Sequence, residues 1–468
     1  MLSHEDNELL VRVGPGTAMC DLLRRFWMPA LLEEEALGND GAPVRLRLLG
    51  EDLVAFRDTE GKLGILDAYC PHRRTHLYFG RNEECGIRCV YHGWKFDVTG
   101  QCVDMPSEPP ESDFKAKVKT KSYPTQTRGG VVWIYMGPPD LQPELPELEW
   151  ARLPRSQCEV TKRAQQCNWA QAVEGGIDSS HISYLHRNLA DLDPATSGTG
   201  HRSYTSRDRS PVFTVKETDY GLLIGARRNA TDTQFYWRIT QFLVPFWTMI
   251  PPILREEVDD SSEDTYAGHA WVPIDDENTW TWSFNCNPHR ELDERERKMF
   301  HPRTGMWGPI DDHYWPKWNR DNDYGLDREM QKTTNYTGIQ GIPNQDAAVQ
   351  ESMGRIADRS RERLGTSDKA IIAFRKLLIE MAKQLQNGQE PEATRHAGRY
   401  NVRSASVLLK KDVPFDEGAA WLRRNRLSPS GPVDLPDADD RTASLDRAQP
   451  GERKVKGITR KVVRLGLT

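Results

Sequence analysis

The spacing of apolar and polar positions changes along this chain, and the changes divide it. Around Met19–Trp27 apolar residues recur at helical spacing, which predicts a short amphipathic helix followed by a glutamate-rich bend that runs to Pro43. From Val44 the pattern becomes alternation: Val44-Arg-Leu-Arg-Leu48, a turn at Gly50-Glu51, Leu53-Val-Ala-Phe56, a turn at Gly61, then Gly64-Ile-Leu66. Short strands separated by glycines predict a small antiparallel sandwich, with Val131–Met136 as its closing strand. Prolines at 138, 139, 143, 146 and 154 predict an extended linker. A second region opens with a helix carrying Glu174–His186, and Phe235–Val244 and Trp280–Phe284 predict long strands whose aromatics alternate on one face. Helices are expected to dominate from Asp346 to about Gln386. The tail beyond Ser428 is rich in Pro, Asp and Ser and ends with six basic residues between Arg453 and Arg464. It reads as a solvated or intersubunit arm, with an acidic protein partner as the alternative. The expected class is α+β: a helical segment 1–43, a β-sandwich domain 44–140, a larger domain 141–425 and a tail 426–468.

Candidate chemistry sits at two places. Cys70-Pro-His72 and Cys89-Val-Tyr-His92, with sixteen residues between the halves, make a set of two thiolates and two imidazoles. Such a set suits a [2Fe–2S] centre with Cys70 and Cys89 on one iron and His72 and His92 on the other. Imidazoles in place of two thiolates remove negative charge and raise the reduction potential. Two Cys and two His also bind zinc tetrahedrally, but zinc fingers usually run Cys-x₂₋₄-Cys then His-x₃₋₅-His. Tyr91 either donates a hydrogen bond to a cluster sulfur or simply packs. The second place is Asp178-Ser-Ser-His181-Ile-Ser-Tyr-Leu-His186. Asp178 and His181 share a helix face, whereas His181 and His186 share a metal only if the helix bends or ends there.

Composition narrows the classes. A chain of 468 residues has room for two or three cores. A net charge of −6 and a pI near 6.1 give no reason to expect nucleic acid or membrane as partner. No apolar run reaches the roughly 18–20 residues that span a bilayer. The acidic, polar start Met1-Leu-Ser-His-Glu-Asp-Asn-Glu8 is unlike a secretory signal, so a cytoplasmic protein is expected. Cys20, Cys85, Cys102, Cys158, Cys167 and Cys286 are scattered and read as reduced and mostly buried; Cys85 and Cys102 are rival cluster ligands whose spacing matches no half-motif. His76 reads as a polar neighbour of the cluster.

The segments Cys70-Pro-His-Arg-Arg-Thr-His-Leu77 and Cys89-Val-Tyr-His-Gly-Trp-Lys-Phe-Asp97 closely resemble the Rieske domain of bacterial aromatic-ring oxygenases. The family most often has Gly where Arg74 stands, although its phthalate-type branch commonly has two arginines there. The oxygenase subunits of this family also carry the Asp178, His181 and His186 spacing. Asn7–Thr17 and Arg24-Arg-Phe-Trp-Met-Pro29 resemble the start of phthalate-type subunits, and Ile356-Ala-Asp-Arg359 and Leu364-Gly-Thr-Ser-Asp368 resemble their later segments.

The resemblance implies a Rieske domain beside a helix-grip catalytic domain with a curved antiparallel sheet. It implies that His181 and His186 bind mononuclear Fe(II), with a carboxylate completing the triad. The similarity favours Asp346, in Gly341-Ile-Pro-Asn-Gln-Asp346, as that carboxylate, placed at the first turn of a helix-like stretch that also holds Arg355, Asp358 and Glu362; Glu351 is the runner-up. It implies trimers or stacked trimers in which Asp178 bridges a neighbour's cluster histidine and His181. Electrons would come from NADH through a separate flavin and [2Fe–2S] reductase, with O₂ as co-substrate. The implied substrate is an aromatic carboxylate, foremost phthalate with cis-4,5-dihydroxylation. Monooxygenation, O-demethylation or dioxygenation of a chloro-, phenoxy-, sulfo- or methoxybenzoate is the alternative. Ser179, Arg207 and Arg238 are the candidate substrate contacts, with the Arg227-Arg228 pair behind them, since an anion in an apolar pocket needs paired charge. Two other classes stay open: an electron-transfer protein using the cluster alone, and a zinc-binding interaction module.

Overall fold

The computed structural model describes residues 2–423 apart from 37, 110, 193–200, 253–264 and 302. The basic tail lies outside the described residues. Apolar alternation in the first third does form strands. Val44–Leu48, Glu51–Arg57, Leu63–Asp67 and Ser122–Tyr123 make one four-stranded antiparallel sheet. Arg81–Glu83, Gly86–Arg88, Lys95–Phe96 and Cys102–Asp104 make a second. Phe56, Leu66, Leu77, Ile87, Trp94 and Phe96 bury one core between them, and Cys70 and Cys89 sit in it.

The N-terminal segment differs from expectation. The helix ends at Leu23, and Trp27–Leu32 is a strand paired antiparallel with Val131–Tyr135. Pro29 interrupts helical spacing there and the register shifts beside it. Residues 27–32, Val131–Tyr135 and Thr125–Arg128 thus form a separate three-stranded sheet, and Val131–Tyr135, expected to close the sandwich, instead buries its side chains in the main core. The proline-rich stretch after it is not a free linker either: Leu145, Leu148 and Trp150 are buried.

The larger region is built on an eight-stranded antiparallel sheet. Its strand Gln234–Leu243 pairs with Gly221–Asn229, Trp247–Ile250 and Ala405–Lys410, and Cys158–Gln165 pairs with Thr279–Cys286. Trp280, Trp282 and Phe284 do share a face. Gln234–Leu243 does not keep its aromatics on one side: its pairing puts Phe235 and Trp237 opposite in direction to Tyr236 and Phe242, because both faces of this strand are buried. Two helices lie over one face. Trp169–Ile177 contributes Trp169, Ala172, Val173 and Ile177 to the core, and the long helix Lys369–Gln386 contributes Phe374, Leu378 and Ala382. Helices do dominate from Asp346 to Gln386, but Arg355, Asp358 and Glu362, expected on a helix-like stretch, lie in irregular chain between the helix Ile342–Ser352 and the helix Lys369–Gln386. Gly354 at φ +98° stops the first of these helices.

A buried ion cluster ties these pieces together. Glu174, on the helix Trp169–Ile177, accepts from Arg359 (3.0 Å) and Arg375 (2.8 Å), and Arg375 also reaches Glu362. Burial alone would raise the Glu174 pKa, but the two guanidiniums outweigh it and hold the carboxyl below its usual range.

Candidate active site

The helix Trp169–Ile177 stops at Asp178, and this break assembles the first half of the site. Asp178 is the C-terminal cap, and its Oδ1 accepts the Ser180 N–H at 2.6 Å, turning the chain into the short 3₁₀ turn His181–Ser183. With the helix ended, the spacing of His181 and His186 no longer separates them. Their rings meet edge-on with Nε2 atoms 3.1 Å apart.

The helix Ile342–Ser352 supplies the rest. Gly341 at φ +85° caps it and Pro343 occupies its first turn, so Asp346 lies in the second turn, not the first. Its Oδ1 stands 3.3 Å from His186 Nε2 and 3.7 Å from His181 Nε2. Donor atoms about 2.1 Å from a shared ion are separated by such distances. Among the described residues, these three form the group whose ligand atoms lie within 4.8 Å of one another. The residues thus fit a metal, and two imidazoles with one carboxylate are the donor set of non-haem Fe(II) oxygenases. Burial would lift the Asp346 carboxyl, but His186 and His181 outweigh it and hold it below the usual carboxylate range. Glu351 is excluded by its partners. Buried, it accepts the Tyr324 hydroxyl (2.6 Å) and the Gln166 N–H (3.0 Å).

The cysteine and histidine set lies on two matching loops. Gly93 N–H and Arg74 N–H bond back to the carbonyls of Cys89 and Cys70, and both residues have positive φ, +79° and +59°. Cys70 and Cys89 are buried, while His72 is exposed and His92 half-exposed, their rings 4.4 Å apart. His72 stacks on Trp94. The Cys89 thiol is pushed down, foremost by a hydrogen bond from Cys70, with the N–H groups of Tyr91 and His92 adding to it. The Tyr91 hydroxyl itself accepts from Arg73 at 3.2 Å, so Tyr91 approaches the sulfur through its backbone. These four residues do not converge within single-ion distance, as a tetrahedral zinc site requires; a two-iron cluster spreads its ligands.

The candidate substrate residues are not brought together. Ser179 is buried and occupied: its carbonyl accepts from Arg228 Nη2 at 2.6 Å and its hydroxyl from Nη1 at 3.4 Å. Arg207 is exposed at the end of the helix His201–Arg207. Arg227 and Arg228 do split between strand faces, Arg227 over the Phe235 ring and Arg228 inward. Arg238 remains a buried cation on the same face as Arg228, and its charge is felt at His186.

Comparisons with known proteins settle the family. Residues 26–124 match the Rieske [2Fe–2S] domain, and residues 134–424 match the family described as LigXa C-terminal domain like. The chain is 41% identical over 426 residues to the phthalate 4,5-dioxygenase oxygenase subunit of Pseudomonas putida, covering 89% of this chain and 94% of that protein. This chain is the oxygenase subunit of a Rieske oxygenase. A 3-chlorobenzoate-3,4-dioxygenase oxygenase subunit of Comamonas testosteroni is 39% identical, with 88% and 96% covered. The structure of dicamba monooxygenase bound to dicamba shares the fold, with a TM-score of 0.56 at 18% identity, covering 78% of this chain and 99% of that one.

As a Rieske oxygenase the chain is an oxidoreductase, and its other cysteines are free thiols, Cys85 half-buried and the rest buried. No helix among the described residues is long and apolar enough to cross a membrane. Two residues at the oxygenase site escape sequence reasoning. His269 lies on a strand, directly opposite Ser283, and its Nδ1 is 3.0 Å from the Ser283 hydroxyl. Burial pushes it down to about 4, against the pull of Asp346, so it is a neutral imidazole. Gln345, beside Asp346, faces His186. Neither belongs to a local motif: His269 is placed by strand register alone, and Gln345 reads as one more polar helix residue.

Proposed function

We propose that this Rieske oxygenase hydroxylates an aromatic carboxylate, phthalate or a close benzoate derivative, at a mononuclear Fe(II) held by His181, His186 and Asp346. The observation that carries the reading is the convergence of three ligand atoms at 3.1, 3.3 and 3.7 Å from two separate chain segments. A cluster-only electron carrier has no use for such a set. Bound there, Fe(II) supplies the activation of O₂. The protein's part is to hold its ligands on fixed segments and to place the substrate. Arg238 offers a cation for a carboxylate, and His269 with Ser283 offers neutral hydrogen bonds on the same sheet. The names of the two relatives described above, phthalate and 3-chlorobenzoate dioxygenases, support an aromatic acid.

Electrons would reach the Rieske cluster from NADH through a separate flavin and [2Fe–2S] reductase, in the cytoplasm where NADH is made. Homotrimers or stacked trimers are consistent with an exposed His72 and with Asp178, whose Oδ2 faces His181 Nδ1 at 3.7 Å and is left able to accept from a neighbour's imidazole.

The test is substrate-stimulated NADH and O₂ consumption with a reductase, comparing phthalate, 3-chlorobenzoate and a methoxybenzoate with dimethyl phthalate. Phthalate is expected to stimulate and yield a cis-dihydrodiol, and the neutral ester not. Asp346→Asn is expected to abolish turnover while keeping the cluster spectrum. Formaldehyde release from the methoxybenzoate would make the protein a demethylase. Stimulation by the ester alone would overturn an anionic substrate.

A further inference from the structure

We infer that Gln345 is a positioning residue that fixes His186 in the tautomer able to bind a metal through Nε2. The inference rests on the reading of His181, His186 and Asp346 as ligands. Gln345 is buried, and its side-chain Nε2 donates to the Ile339 carbonyl at 2.9 Å. A carbonyl only accepts, so the amide nitrogen has one allowed orientation and its Oε1 must point the other way. That oxygen lies 2.8 Å from His186 Nδ1. An amide oxygen only accepts in turn, so Nδ1 carries the proton. In a neutral imidazole the proton on Nδ1 leaves Nε2 bare, and Nε2 is the atom facing Asp346 Oδ1 and His181 Nε2.

A chain of three one-way groups thus runs from a backbone carbonyl to the lone pair at the centre. The two residues that grip His186 are adjacent, Gln345 behind the ring and Asp346 before it, so one helix, Ile342–Ser352, sets both the ring's orientation and its ligand neighbour. The two imidazoles are backed differently. His181 Nδ1 faces the Asp178 carboxylate at 3.7 Å, outside hydrogen-bond range, whereas the neutral amide holds His186 within it. The closer hold belongs to the amide.

The test measures binding of Fe(II), under argon by equilibrium dialysis with elemental analysis, as iron in excess of the cluster iron. Wild type, Gln345→Met, Gln345→Glu and His186→Ala are compared, with cluster absorbance and melting temperature as the check on folding. Gln345→Met removes the acceptor and is expected to weaken Fe(II) by about 10–100-fold, as loss of an outer partner does. Gln345→Glu keeps an acceptor for Nδ1 and loses the bond to Ile339, and is expected to stay close to wild type. If Met binds like wild type while His186→Ala loses iron, the inference fails and the metal reading stands. If Met and Glu lose affinity equally, Gln345 acts through the Ile339 segment, which also overturns it. If His186→Ala keeps its iron, the metal reading itself falls. Should Gln345→Met fail to assemble its cluster, Gln345→Glu decides alone: affinity kept supports the inference, affinity lost as in His186→Ala overturns it.

Discussion

Arg74 shows how a single residue stores strain beside a redox centre. Its φ of +59° is left-handed, as is that of Gly93 at +79° on the matching loop, and each closes a turn back to a cluster cysteine. An L residue with a Cβ pays about 1 kcal/mol or more for that conformation, which glycine does not. Arg74 recovers part of it by lying over the Tyr69 ring and near Asp67, both exposed contacts of small value. Arg74→Gly is therefore expected to stabilise the loop by up to about 1 kcal/mol in urea unfolding followed by cluster absorbance. A lower midpoint would mean that the Tyr69 contact outweighs the strain. The candidate cluster residues at this scale were legible because Cys-Pro-His and Cys-Val-Tyr-His are local. The substrate contacts were not. Ser179 turned out to be held by Arg228, a partner far away in sequence that no local pattern reveals.

At the scale of elements, caps and breaks decide where chemistry is placed. The helix Glu294–Phe300 begins in a capping box in which Asp293 and Glu296 satisfy each other's backbone N–H, and Glu296 also takes Arg290 at 2.6 Å. Burial would raise the Glu296 pKa, but Arg290, Thr265 and the Asp293 N–H bring it down to about 2. A depressed carboxyl lends stability that is complete above its unfolded value, near 4.5, and is lost as pH falls through about 2. The stability difference between wild type and Glu296→Gln is expected to be constant at neutral pH and to close between pH 4.5 and 2. A difference unchanged down to pH 2 would show that packing, not charge, is the contribution. The break at Asp178 and the shift of Asp346 into a second turn belong to the same scale. Residue spacing gave the histidines, but where the helix stops follows from the Asp178 cap and from packing on the sheet.

Over the whole molecule, the two regions share a core. Trp133, from the strand Val131–Tyr135, meets Trp150 and Trp247 at ring-centroid distances of 5.9 and 5.6 Å, and Trp150 stacks on Phe284 of the large sheet. Trp133→Ala is expected to cost about 3–5 kcal/mol and to lower cluster bleaching and far-ultraviolet melting together. Two separated transitions would show that the regions unfold independently. By itself the sequence determined the α+β class with its β-rich first domain, the two Cys–His half-motifs, the His181 and His186 pair as candidates, and the oxygenase family, because each rests on short-range spacing or on whole motifs. Only the tertiary structure decided that Trp27–Leu32 is a strand, that Gln345 and His269 stand beside the two histidines, and how closely Asp346, which the family resemblance already favoured, approaches them. Each of these depends on which distant segments the buried faces bring together, and hydrophobic burial, which drives that assembly, carries no directional label in the sequence.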